Sequence, residues 1–122
     1  MNREFAAEFA AAQGGNMPTM IHAGVYSSVL HYLKAVEQVG SAEDGAAVVE
    51  AMKEIPTEDK LFGEGVVRED GRKIHDMYLF EVKSPDESTG PWDYYHQRAV
   101  IPAAEAFRPL EDGGCEFVAS AN

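Results

Sequence analysis

The sequence predicts an α+β chain, helical in its first half and strand-rich in its second. Three observations carry this. Apolar residues recur with a period near 3.6 over much of residues 2–55. From residue 64 to 101 the pattern becomes short apolar runs bounded by turn residues. The helices all precede the strands, which separates this order from a repeated βαβ pattern. With 122 residues and 13.3 kDa, the chain has the size of one domain.

The first helix is expected over 2–13, where Phe5, Phe9 and Ala12 form one apolar stripe, and Gly14-Gly15 supplies a left-handed end. Residues 16–20 connect, and Pro18 forbids a continuous helix. The second helix is expected from Ala23 to Val39, with Val25, Val29, Leu33 and Val36 on one face and Tyr26, Leu30 and Tyr32 widening it. So broad an apolar face calls for cover on more than one side. Gly40 ends it. Ser41-Ala42-Glu43-Asp44 reads as an N-cap with an acid three residues on, opening a third helix that turns Val48, Met52 and Ile55 inward and stops at Pro56. A loop through Lys60-Leu61-Phe62-Gly63 follows. Two to three strands are expected next: Gly65 to Arg68, Met77 to Lys83, and an extended stretch from Trp92 to Ile101. Glu69-Asp70-Gly71-Arg72 is a turn, with Gly71 where a positive φ is needed. Residues 102–122 form an irregular tail. Helices over 2–55, strands over 64–101 and the tail make a single unit, 1–122.

The core is thin. Apolar residues are 45% of the chain, but 17 of them are alanine, and Leu, Ile, Val and Phe number only 26. That is close to the level below which chains tend not to fold. Ten basic against 21 acidic residues give a net charge of −11. Such a balance argues against nucleic acid, which demands a basic footprint, and against an anionic membrane surface. No apolar stretch approaches the length of a membrane span. The start Met1-Asn2-Arg3-Glu4-Phe5 does not read as a signal peptide. A single Cys115 cannot form an internal disulfide.

Little in the sequence points to catalysis. His75-Asp76 could be an oriented base, but neighbours on a strand face opposite ways. His22, His31, His75 and His96 lack metal-ligand spacing, Ser27-Ser28 lacks a nucleophile elbow, and the glycines form no phosphate loop. Trp92, Tyr94 and Tyr95 form an aromatic cluster of a kind used in cores and interfaces. The segment Met20 to Tyr26 reads as a loop feeding a helix N-terminus, where free N–H groups favour an anion.

Longer stretches carry a resemblance. The segment from Met17-Pro18-Thr19-Met20-Ile21-His22-Ala23-Gly24 to Val36, and the segment from Asp70-Gly71-Arg72-Lys73 to Val82-Lys83, are similar to ABC-transporter solute-binding proteins of the branched-chain amino-acid (leucine/isoleucine/valine) family. So are Gly90-Pro91-Trp92-Asp93-Tyr94-Tyr95, Ile101-Pro102, Ala106-Phe107-Arg108-Pro109-Leu110 and Cys115, which resemble the C-terminal end of one branch.

The resemblance implies an α/β fold of the type I periplasmic binding protein kind, represented here by a partial α+β fragment. Family members are about three times as long, with two lobes around a ligand cleft. This chain resembles their final third, including the last hinge crossing. By position, Ile21, His22, Ala23 and Gly24 would line the cleft with Tyr26 close behind, and His22 stands where related sequences often have Gln. The implied ligand is a branched-chain or other amino acid, an amide or a small aromatic acid. The implied partner is an ABC permease, and no cofactor, metal or catalytic residue is expected. The implied parent is periplasmic, whereas the chain as it stands would stay in the cytoplasm. Cys115 could have had a disulfide partner in the missing part. Half a cleft binds poorly alone. The alternative is a homodimer or larger assembly, a self-associating structural protein that covers its apolar faces by pairing. A small enzyme using His22, His75 or Asp76 is the remaining class.

Overall fold

The computed structural model describes residues 2–116 and 118. Helices α1 (Asn2–Ala12), α2 (Met20–Val39) and α3 (Gly45–Glu54) come first. Strands β1 (Thr57–Asp59), β2 (Gly63–Val67), β3 (Lys73–Ile74), β4 (Met77–Val82) and β5 (Tyr95–Ile101) follow. A four-residue helix α4 (Ala103–Ala106) and one 3₁₀ turn (Glu111–Gly113) come last. The strands form two antiparallel sheets, β1-β2-β3 and the hairpin β4-β5.

The helix ends follow local chemistry. Gly14 and Gly15 take φ of 62° and 89°, and Gly40 closes α2 at φ 82° with its N–H on the Val36 carbonyl. No side chain but hydrogen adopts these angles cheaply. Helix α2 starts at Met20, three residues before the expected Ala23, because Thr19 takes the extended N-cap conformation. Residues 20–26 are therefore helix and not loop. The cap of α3 is Asp44, whose Oδ1 accepts from the Ala47 N–H at 3.1 Å. Ser41 instead accepts from the Glu43 N–H, closing a turn before the helix.

The core lies between α2 and α3. Ala35, Val48 and Ala51 are buried, with Val36, Val39, Met52 and Ile55 packed around them. Small residues at 35 and 51 let the helices approach closely, and full burial of Val48 contributes about 2 kcal/mol. The inward face of α3 is as expected. That of α2 is not. Val25, Val29 and Leu33 are more than half exposed, while Ser27, His31 and Ala35 are buried. Of the expected stripe, Val36 reaches the core, while Val25, Val29 and Leu33 face away from α3.

The sheet β1-β2-β3 sits under α2 and α3. Its strand β1 falls where a loop was expected, and β2 starts at Gly63 and ends at Val67. Thr57 pairs with Gly65 and Val66 with Ile74. At Gly65 an added Cβ would collide with the Ile74 carbonyl oxygen and lie 2.8 Å from Thr57 Oγ1, so glycine is required there. The turn at Gly71 has φ 81° as expected. Between β4 and β5 the register slips at Leu79/Phe80, leaving Arg98 as the extra residue of a bulge. Every residue of β4 is exposed, as is every residue of β5 except His96. Within residues 102–116 the expected irregular tail contains α4 and the 3₁₀ turn. Asp76 Oδ1 accepts from the Ala103 N–H at 2.9 Å and so holds α4 to β4.

Candidate functional site

The five residues placed at a cleft by the sequence occupy the first two turns of α2. The Thr19 N–H donates to His22 Nδ1 at 3.0 Å. In the neutral ring this puts the proton on Nε2. The imidazole lies 4.7 Å from the Phe9 ring, and Tyr26 lies 5.3 Å from Phe5. His22 and Tyr26 are one turn apart, so both face α1. Ile21 projects outward at 72% exposure, and Ala23 is half-buried. Gly24 falls about half a revolution from both His22 and Tyr26 at roughly 100° per residue. It borders a cavity on the opposite side of the helix. The structure thus brings His22 and Tyr26 together and separates Gly24 from them.

That cavity, about 340 Å³, lies between α2 and the β1-β2-β3 sheet. Beside it is a polar cluster that the sequence reading missed. Ser27 Oγ donates to Asp59 Oδ2 at 2.5 Å, and Lys73 Nζ donates to Ser27 Oγ at 2.6 Å and to Asp59 Oδ2 at 3.0 Å. Asp59 Oδ1 accepts the Leu61 and Phe62 N–H groups, both at 2.8 Å. Burial pushes the Asp59 carboxyl up, but hydrogen bonds from Ser27, Phe62, Leu61 and Lys73 outweigh it and hold the group at about 2. Lys73 Nζ also sits 4.6 Å over the Phe62 ring. The available signal was the polar pair Ser27 and His31, spaced i, i+4 within an apolar helix.

His75 and Asp76 do not form a catalytic pair. His75 Nδ1 meets the Asp76 backbone carbonyl at 2.7 Å, while the Asp76 carboxylate is engaged at α4. Among the described residues no three His, Cys, Asp or Glu are grouped to hold a metal ion. No described helix is long and apolar enough to cross a membrane. Trp92, Tyr94 and Tyr95 are exposed, so they belong to no core within this chain.

A family model described as "Periplasmic binding protein" matches residues 1–90. Two solved structures are similar. One is a periplasmic binding protein from Burkholderia mallei, 42% identical with a TM-score of 0.87. The other is a branched chain amino acid ABC transporter periplasmic ligand-binding protein from Burkholderia xenovorans, 42% identical with a TM-score of 0.86. Each match covers 94% of this chain and 30% of the other. Nothing among curated proteins matches.

Proposed function

The chain belongs to the periplasmic binding protein family, and from that premise we propose that it supplies the C-terminal third of the solute-binding component of an ABC importer. The family is one of solute binding and not of catalysis. The fold is a partial type I periplasmic binding protein. The observation that carries the reading is the set of apolar faces without cover. Val25, Val29 and Leu33 on α2 and nearly all of β4-β5 are exposed in a chain that spans 30% of its structural neighbours. A complete two-lobed protein would bury such faces.

In this reading Ile21, His22, Ala23, Gly24 and Tyr26 border one wall of a cleft closed by the rest of the protein, in the periplasm and next to an ABC permease. The ligand class is a branched-chain amino acid, an amide or a small aromatic acid, the first of these in keeping with the name of the Burkholderia xenovorans neighbour. The start of α2 offers N–H groups and the positive end of a helix dipole to a ligand carboxylate. The wall alone buries too little of a ligand to hold it.

The test is a chimera in which this chain replaces the matching 30% of the Burkholderia xenovorans protein. Calorimetry with leucine should give binding to the chimera and none in the micromolar range to the 122-residue chain alone. A folded chimera that does not bind a ligand held by the unmodified protein would refute the assignment. A second reading, self-association of the chain, is favoured by the same exposed residues, Trp92 at 60% and Val82 at 71% among them. Light scattering separates the two states, and a 13.3 kDa monomer at all concentrations would remove it.

A further inference from the structure

A second cavity, about 560 Å³, lies between the β2-β3 turn and the segment that follows α4. It shares no residue with the proposed cleft on α2. Three of the chain's ten Lys and Arg residues line it: Arg68, Arg72 and Arg108. The one carboxylate among its described lining residues is that of Asp70. A chain of net charge −11 repels anions at long range, but physiological salt screens that field over about 8 Å. Inside the cavity the local side chains decide.

Two of the three arginines have charge to spare. Arg68 is engaged: Nε and Nη2 donate to the two Asp70 oxygens at 3.0 and 2.6 Å, and Nη1 donates to the Arg108 carbonyl at 2.9 Å. The Arg68 and Asp70 charges offset each other, and Glu111 acts on Arg68 from outside the lining. Among the described residues, no carboxylate is in ion-pair contact with Arg72 or Arg108. The backbone holds both in place. The Arg68 N–H donates to the Arg72 carbonyl at 2.9 Å, and the Arg72 N–H donates to Asp70 Oδ1 at 3.3 Å. Arg108 is tied to Arg68 by its carbonyl and precedes Pro109, which disfavours helical backbone before it. The Arg72 guanidinium stands 5.9 Å from the centre of the Phe107 ring, which also packs against His75 at 5.8 Å. A guanidinium is a planar fork that pairs with carboxylate or phosphate oxygens two at a time.

We propose that this cavity binds a small organic dianion, its oxygens on the Arg72 and Arg108 guanidinium groups and its carbon part against Phe107. The site does not depend on the solute-binding reading.

The test is an NMR titration of the Gly71, Gly113 and Cys115 amides in the 122-residue chain, at pH about 7.5, where succinate and phenyl phosphate are both dianions. A saturable shift in the millimolar range is expected with at least one of them, and a much weaker one with acetate. Saturation by phenyl phosphate alone assigns a phosphate ester, and by succinate alone a dicarboxylate. Arg72→Gln and Arg108→Gln should each weaken binding by about tenfold. Arg72→Lys keeps the charge but not the fork, and should weaken it less than Arg72→Gln. Both arginines are exposed, so these variants keep the fold. Lys53→Gln, on α3 and outside the cavity, should leave binding unchanged. The chimera described above serves if the chain alone gives no dispersed spectrum. A linear response to both dianions, an equal response to acetate, undiminished binding in Arg72→Gln and Arg108→Gln, an equal loss in Lys53→Gln, or displacement of the dianion by leucine would overturn the proposal.

Discussion

The α2-α3 pair and the β4-β5 hairpin are made of similarly apolar sequence and end up in opposite situations. The helices bury Ala35, Val48 and Ala51 against each other. The hairpin buries none of its apolar residues, although Met77-Tyr78-Leu79-Phe80 would suit a strand covered on both faces. Two strands alone are marginal in water. The comparison teaches that secondary structure and stability have separate sources here. The helix pair carries its own packing, whereas the hairpin is held by backbone pairing and end clamps, with its apolar side chains exposed.

The largest effects should fall in the helix pair. Ala35→Asp places an unpaired charge at a position with 0% exposure and should cost about 4 kcal/mol, read by urea unfolding. Leu79→Asp in the hairpin should change that stability by less than about 0.5 kcal/mol, because Leu79 is 54% exposed. Equal losses would break the comparison.

Next comes the Ser27-Asp59-Lys73 cluster that joins α2 to the sheet. Asp59→Asn should cost about 2 kcal/mol, since it leaves Lys73 facing a neutral group. The same carboxylate sets a pH dependence. Its folded value of about 2 lies below its ordinary value of 3.8, so its contribution is present above pH 4. That contribution is lost as pH falls toward 2. Acid unfolding of Asp59→Asn should therefore show a shallower slope between pH 4 and 2 than the parent chain.

A smaller, local effect is expected at the loop end of the hairpin. Lys83 Nζ donates to both Asp93 oxygens at 2.7 and 2.8 Å, and the Thr89 N–H and hydroxyl join at 3.0 and 2.9 Å. These partners, Lys83 foremost, hold the Asp93 carboxyl well below the usual range. Asp93→Asn should speed amide exchange at Thr89 and Lys83 and leave the α2-α3 amides unchanged.

The order of elements and the two main helix ends were legible because periodicity, Gly40 and Pro56 act locally. The face of α2 was not. Its apolar stripe at Val25, Val29 and Leu33 signals burial by periodicity alone, while this chain packs α2 through Ser27, His31 and Ala35. Strand β1 escaped because Thr57-Glu58-Asp59 has no strand-like composition and is set by pairing with Gly63–Gly65. At the candidate site, the resemblance pointed to His22 and Tyr26 by position, and they share the face of α2 that meets α1. The Asp59-Lys73 pair was not, because its members are brought together by the fold across 14 residues.

Native-state amide exchange on the dilute chain tests the contrast most directly. The account predicts that Ala35 and Val48 exchange only through global unfolding. Leu79 and Val100, paired across the hairpin, should exchange through openings at least a hundredfold easier. Equal protection of the hairpin and the helix pair would contradict it, because β4-β5 would then hold itself together without a covering surface.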